Sequence, residues 1–108
     1  MPTRSWLFVP GDSEKKLAKV AGCGADVVIG GHTHTAADRT IGGIRSLNPG
    51  STGLPRTSGM ANWLLLEDDG DAMTATHHST PYDARAVAAD LHSRRHPNAE
   101  FVSSILTR

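Results

Sequence analysis

The sequence predicts an α/β chain with a mixed sheet and C-terminal helices, and three observations carry that reading. Two apolar runs, Trp6 to Val9 and Ala25 to Ile29, flank a stretch with helical spacing, as in a parallel βαβ unit. Two strand-like runs, residues 61–67 and 72–79, face each other across an acidic turn. Two stretches with helical periodicity then close the chain.

The elements follow in order. Trp6-Leu7-Phe8-Val9 is a short continuous apolar run ended by Pro10-Gly11, which marks a buried strand entering a turn. Asp12 or Ser13 can cap a helix over residues 14–21, where Leu17, Val20 and Ala21 recur at helical spacing. Gly22 and Gly24 stop it, and a second buried strand runs from Ala25 to Ile29. Residues 35–38 read as loop, and residues 39–47 as a hairpin turning at Gly42-Gly43, where glycine tolerates positive φ. Asn48-Pro49-Gly50-Ser51-Thr52-Gly53 is a dense turn segment. Residues 61–67 form the clearest strand, ended by Asp68-Asp69-Gly70-Asp71, and residues 72–79 return antiparallel to it. The expected pairing joins residues 40–48, 61–67 and 72–79 in one antiparallel element beside two parallel strands at 5–9 and 26–29.

Thr80-Pro81-Tyr82-Asp83 reads as a helix start: threonine caps, proline suits the first helical position, and Asp83 bonds back. That helix runs to about Arg95 with Ala84, Val87, Ala88 and Leu91 as a narrow apolar stripe, and Pro97 breaks it. A last helix over 98–106 is expected to bury Phe101, Val102, Ile105 and Leu106.

Composition excludes several classes. Eleven Lys and Arg balance 11 Asp and Glu over 108 residues, so no strong field draws nucleic acid or an anionic membrane. The cluster Arg94-Arg95-His96 is too short to change this, and neutrality leaves self-association open. Cys23 is the only cysteine, which rules out an internal disulfide and a thiolate zinc cluster within one chain. The opening residues are too short for a signal-peptide core and no run spans a bilayer, so a cytoplasmic location is expected.

The sharpest chemical signal is Gly31-His32-Thr33-His34 directly after Val27-Val28-Ile29-Gly30. Neutral imidazoles bind first-row divalent metals, and alternate residues at a strand end point the same way. Two histidines seldom suffice for a hydrolytic ion, which takes three or four protein ligands and water. Spacing alone therefore leaves metal ligands and ordinary hydrogen-bonded histidines both open. The other candidates read as structural. His77-His78 face opposite sides of a strand; His92 and His96 sit at i,i+4 beside Arg94-Arg95, which disfavour a cation. Asp68-Asp69-Gly70-Asp71 lacks the glutamate that closes a calcium loop, Ser79 standing there instead. Trp6 and Trp63 read as strand core, Cys23 has no activating partner, and Ser51 sits in a turn without a base.

From about residue 25 to 108, the chain resembles the C-terminal part of calcineurin-like metallophosphoesterases of the small bacterial phosphodiesterase kind. The resemblance rests on residues 26–34 (Asp26-Val27-Val28-Ile29-Gly30-Gly31-His32-Thr33-His34) and on Asn48 to Arg56, followed by the strand from Trp63 to Glu67 and by Pro81-Tyr82-Asp83. It implies a truncated metallophosphoesterase-like sandwich fragment. His32 would bind the second metal of a dinuclear centre and His34 the first, with Mn, Zn, Ni or Fe as the ion, and Asn48 to Gly53 would support the site from beneath. That family also carries an Asp-x-His on its first strand, a bridging Asp and an Asn-His pair. Residues 1–30 contain neither His nor Asn, so only His32 and His34 have counterparts here, and a chain that binds no ion by itself is the other outcome. The carboxylate that would hold two ions about 3.5–4 Å apart is missing.

Residues 3–29 resemble instead the start of the citrate lyase β-subunit and related CoA-ester lyases, on Arg4 to Lys19. The expected organisation is a lyase-like strand–helix segment, 1–24, joined to a phosphoesterase part, 25–108. The expected function is a metal-dependent phosphoesterase acting on a phosphomonoester or phosphodiester, incomplete and weakly active or inactive alone. The alternatives are a noncatalytic remnant, a half-domain completed by itself or another chain, and a fragment of a CoA-ester lyase.

Overall fold

The computed structural model describes residues 6–10 and 24–108. The helix expected over 14–21, with Asp12, Ser13 and Cys23, lies outside the described residues. The central strand is β2 (Val27–Gly31), which pairs in parallel with β1 (Trp6–Pro10) on one side and with β4 (Ile44–Asn48) on the other. Strand β3 (Ala37–Ile41) completes a mixed sheet of order β1-β2-β4-β3. The continuous apolar run of β2 suits this inner place, since both of its faces are covered and Val27, Val28 and Ile29 are all buried.

Strands β3 and β4 pair antiparallel with Ile41 opposite Ile44, which leaves only Gly42 and Gly43 in the turn. Both adopt positive φ, +58° and +80°, as a tight turn between right-twisted strands requires. Strand β3 takes in Ala37 and Asp38, which the sequence assigned to a loop. Asp38 is tied to β4 by a two-pronged ion pair, Arg45 Nε to Oδ1 at 3.0 Å and Arg45 Nη2 to Oδ2 at 2.8 Å. The guanidinium holds the Asp38 carboxyl below its ordinary range.

Strands β5 (Met60–Asp68) and β6 (Met73–Pro81) form a separate two-stranded antiparallel sheet. The single antiparallel element expected from residues 40–48, 61–67 and 72–79 is therefore divided between two sheets. Residues 46–48 are buried and fill an inner position beside β2. The β5–β6 hairpin instead alternates: Leu64, Leu66, Met73 and Ala75 pack against Val27, Ile29 and Leu47, making a second layer that meets the first face to face. The same alternation turns Trp63 outward. Expected in the core, it is 42% exposed, stacks on His78 with ring centroids 4.3 Å apart, and donates from Nε1 to Thr80 Oγ1 at 2.8 Å.

The acidic segment is a hairpin turn, as expected. Asp68 Oδ1 accepts from Gly70 N, and Asp69 Oδ1 accepts from Asp71 N and Ala72 N at 2.9 and 2.8 Å. These N–H donors, Ala72 first, hold the Asp69 carboxyl below the ordinary range. A depressed folded pKa gives stability that is present above the unfolded carboxylate value and is lost as pH falls through the folded one. Asp69→Ala is therefore expected to lower Tm at about pH 7, with the gap to wild type closing towards about pH 3. Thermal melts at both values check this; a gap that widens in acid would contradict it.

Helix α1 (Ala84–Ser93) starts later than the sequence suggested. Thr80 and Pro81 are taken up by β6, where they pair with Ala61 and Met60, and Asp83 is itself the N-cap, accepting from Ala86 N at 3.0 Å. Ala84 and Ala88 are buried, whereas Val87, expected in the apolar stripe, is 41% exposed. Helix α2 (Ala99–Leu106) packs against α1 and buries Ala99 and Leu106. Phe101, expected inside, is 67% exposed, because it lies on the face of α2 turned to the loop after β2. Among the described residues no helix is long and apolar enough to cross a membrane.

Candidate functional site

The two histidines are presented by a strained corner, not by an extended strand. Strand β2 ends at Gly31, and His32 and His34 both adopt left-handed backbone, φ +75° and +59°. Such conformations are uncommon outside glycine and cost about 1 kcal/mol or more each unless the surroundings hold them. Here they are held. Thr33 N donates to Gly31 O at 3.0 Å, and Asn48 Nδ2, at the end of β4, donates to Thr33 Oγ1 at 3.0 Å. Thr35 Oγ1 donates back to Thr33 O at 3.2 Å and accepts from Arg56 Nε at 3.0 Å.

Asn48 is the hub. It is only 6% exposed, and its Oδ1 accepts from Gly50 N at 3.0 Å. Its backbone carbonyl accepts from His77 Nε2 at 2.8 Å. His77 is therefore a brace beneath the site, while its neighbour His78 lies against Trp63. The turn after Asn48 is fastened to β5 through Asn62, whose N donates to Ser51 O at 2.9 Å. Ser51 Oγ then accepts from Leu54 N at 2.8 Å. This places the Leu54 carbonyl where His34 Nδ1 donates to it at 3.0 Å.

That last bond decides the chemistry of His34. A carbonyl can only accept, so Nδ1 carries a proton, and in the neutral ring the Nε2 lone pair is left to act as an acceptor or ligand. His34 is half-buried and His32 exposed, and both line a cleft of about 370 Å³. Thr33, Leu54, Arg56, Phe101, Ile105 and Arg108 line it too. The two predicted ligands are thus brought together. Among the described residues no group of three or more His, Cys, Asp or Glu could hold a metal ion. The donor set as described offers two imidazoles and does not by itself complete a hydrolytic centre.

His92 and His96 do not join this cleft; His96 Nδ1 accepts from Asn98 N at 3.1 Å in the turn between the helices. Sequence reasoning placed Phe101 in the core and Arg56 only at the end of a motif, and it singled out neither the Leu54 carbonyl nor Arg108. Arg56 closes the Asn48-to-Arg56 motif and could have been singled out by that position. The rest depended on how α2 packs, for which no local signal exists.

Residues 5–71 match the calcineurin-like phosphoesterase superfamily domain. The "Probable metallophosphoesterase YsnB" of Bacillus subtilis (strain 168) is 39% identical over 51 residues, 47% of this chain and 30% of that protein. The crystal structure of hypothetical protein PH1004 from Pyrococcus horikoshii OT3 superposes with a TM-score of 0.67 at 17% identity, over 93% of this chain and 39% of that one. Wild-type Vps29 of Entamoeba histolytica, complexed with Zn, gives a TM-score of 0.48 at 22% identity, over 68% and 48% of the two chains. The chain spans less than half the length of each of these proteins.

The extent of the family match corrects the sequence reading. It begins at residue 5 and ends at 71, so it occupies the N-terminal and central region, not residues 25–108. The separate lyase-like origin of residues 3–29, and with it the reading as a fragment of a CoA-ester lyase, is overturned. A strand closed by Pro-Gly and followed by a capped helix is common to many α/β proteins. Here β1 is hydrogen-bonded along its length to β2, the strand that leads into His32.

Proposed function

We propose, since this chain belongs to the calcineurin-like phosphoesterase superfamily, that His32 and His34 are two ligands of a divalent-metal centre for phosphoester hydrolysis. The single observation that carries this reading is the Nδ1–H bond from His34 to the Leu54 carbonyl, which orients the ring and leaves Nε2 as a donor to a metal. A bound divalent ion would supply Lewis acidity towards the phosphoryl oxygens and a hydroxide near neutral pH. The described residues provide the orientation of the His34 imidazole and the strained corner that brings both histidines to one cleft. Further ligands have to come from outside the described residues or from another chain, which favours a partner-dependent half-domain as the second reading.

The isolated chain is expected to bind Mn²⁺ or Zn²⁺ weakly and to show little or no turnover of bis-p-nitrophenyl phosphate. Calorimetry on wild type and on the His32→Ala/His34→Ala double variant, with the phosphodiesterase assay run in parallel, checks both statements. Tight binding of two ions per chain, or turnover lost in His34→Ala, would show a complete centre. No metal binding that depends on these histidines would leave the noncatalytic reading.

A further inference from the structure

The cleft at His32 and His34 carries a charge pattern that a bare metal site does not need. Arg56 and Arg108 line it together with the two imidazoles and the Thr33 hydroxyl, and no carboxylate side chain is among its lining residues. Among the described residues Arg56 is held by Nε, which donates to Thr35 Oγ1, and Arg108 by Nη2, which donates to Pro55 O at 3.3 Å; neither guanidinium forms a salt bridge with a side chain there. Thr33 Oγ1 accepts from Asn48 Nδ2 and from Thr35 N, and its own proton has no acceptor among the described residues. A cleft that gathers cationic and neutral donors and no carboxylate side chain is suited to an oxyanion, and arginine's planar fork matches phosphoryl oxygens in particular. The cleft lining also has an apolar part from α2: Phe101, which is 67% exposed, and Ile105. A large aromatic left in water beside a donor cluster marks a place for the organic part of a ligand.

We propose that this cleft binds the phosphoryl group of a phosphomonoester directly, through Arg56 with Arg108 and Thr33, and that Phe101 selects esters with an aromatic organic group. The choice of a phosphoester rests on the functional reading above, but the binding needs no resident ion. Arg56 fixes the anion; Phe101 discriminates among esters.

The test is an NMR titration of the full chain in excess EDTA, with inorganic phosphate and with phenyl phosphate as probes. Wild type is expected to bind both, phenyl phosphate several-fold more tightly. Arg56→Gln is expected to weaken both by on the order of tenfold or more, as loss of a charge-assisted contact implies. Phe101→Ala is expected to remove the preference for phenyl phosphate and leave inorganic phosphate unchanged. Both side chains are exposed, so neither variant is expected to unfold the chain, and unchanged His34 ring resonances check that Arg56→Gln keeps the corner that Arg56 braces through Thr35. No binding in EDTA, binding indifferent to Arg56→Gln, or a preference that survives Phe101→Ala would overturn the proposal. Because no ion is present, these outcomes are separable from failure of the metal reading, which is judged by metal binding and turnover at His32 and His34.

Discussion

Leu47→Ala is expected to destabilise the chain by about 2–5 kcal/mol, the range for emptying a well-packed aliphatic site. Leu47 is 1% exposed and sits where the two sheets meet, with Val27 and Ile29 in its own layer and Leu64, Leu66, Met73 and Ala75 packed from the other. The described core is small, so few side chains can move in to fill the space and the cost should lie in the upper part of that range. Leu47 also precedes Asn48, and the loss should loosen the brace under Thr33 as well as the core. Urea denaturation of wild type and variant measures the effect through a lower midpoint at similar m-value. A change below about 1 kcal/mol would show that the two layers are not packed as described.

Gly50→Ala is expected to cost at least about 2 kcal/mol, for two reasons that add. Gly50 has φ +91°, where a side chain is strained whatever space surrounds it. A Cβ at this position would also lie 2.8 Å from Asn62 Cβ and 3.0 Å from its Oδ1. Asn62 cannot easily give way, since its backbone holds Ser51 and its Nδ2 donates to Ser79 Oγ at 2.7 Å. The variant should therefore shift the turn that sets Leu54, and the tautomer and orientation of His34 should become less defined. A Tm lowered by roughly 10 °C is expected for a domain of this size. The His34 ring resonances should also change in the folded variant. A variant with wild-type Tm and an unchanged His34 would refute the role given to this turn.

The strain at His32 and His34 and the strain avoided at Gly50 belong to one arrangement. Asn48 and Asn62 convert the ends of β4 and β5 into a platform, and the platform over-determines a corner that would otherwise relax. Resemblance alone had Asn48 to Gly53 supporting the histidines from beneath, and the hydrogen bonds show how: one amide bonds the Thr33 hydroxyl, and one serine positions the carbonyl that orients His34.

The sequence by itself determined what depends on near neighbours. The apolar run of β2, the Gly42-Gly43 turn, the Asp69 turn and the strand character of β5 and β6 are all written in spacings of a few residues, and they are where those spacings put them. So was the pairing of His32 with His34, because they are separated by one residue. Tertiary structure alone decided which edges and faces meet. Residues 44–48 carry no mark that they prefer the edge of β2 to that of β5; the choice follows from burying both faces of β4 while β5 and β6 each bury one. Phe101 has the spacing of a core residue, yet the contact of α2 with α1 leaves it facing the cleft. Pro81 has the form of a helix start, yet the ladder with Met60 claims it for β6. Local patterns state which residues avoid water, but the partner that removes each from water is fixed by contacts distant in sequence, whose free energy no short window contains.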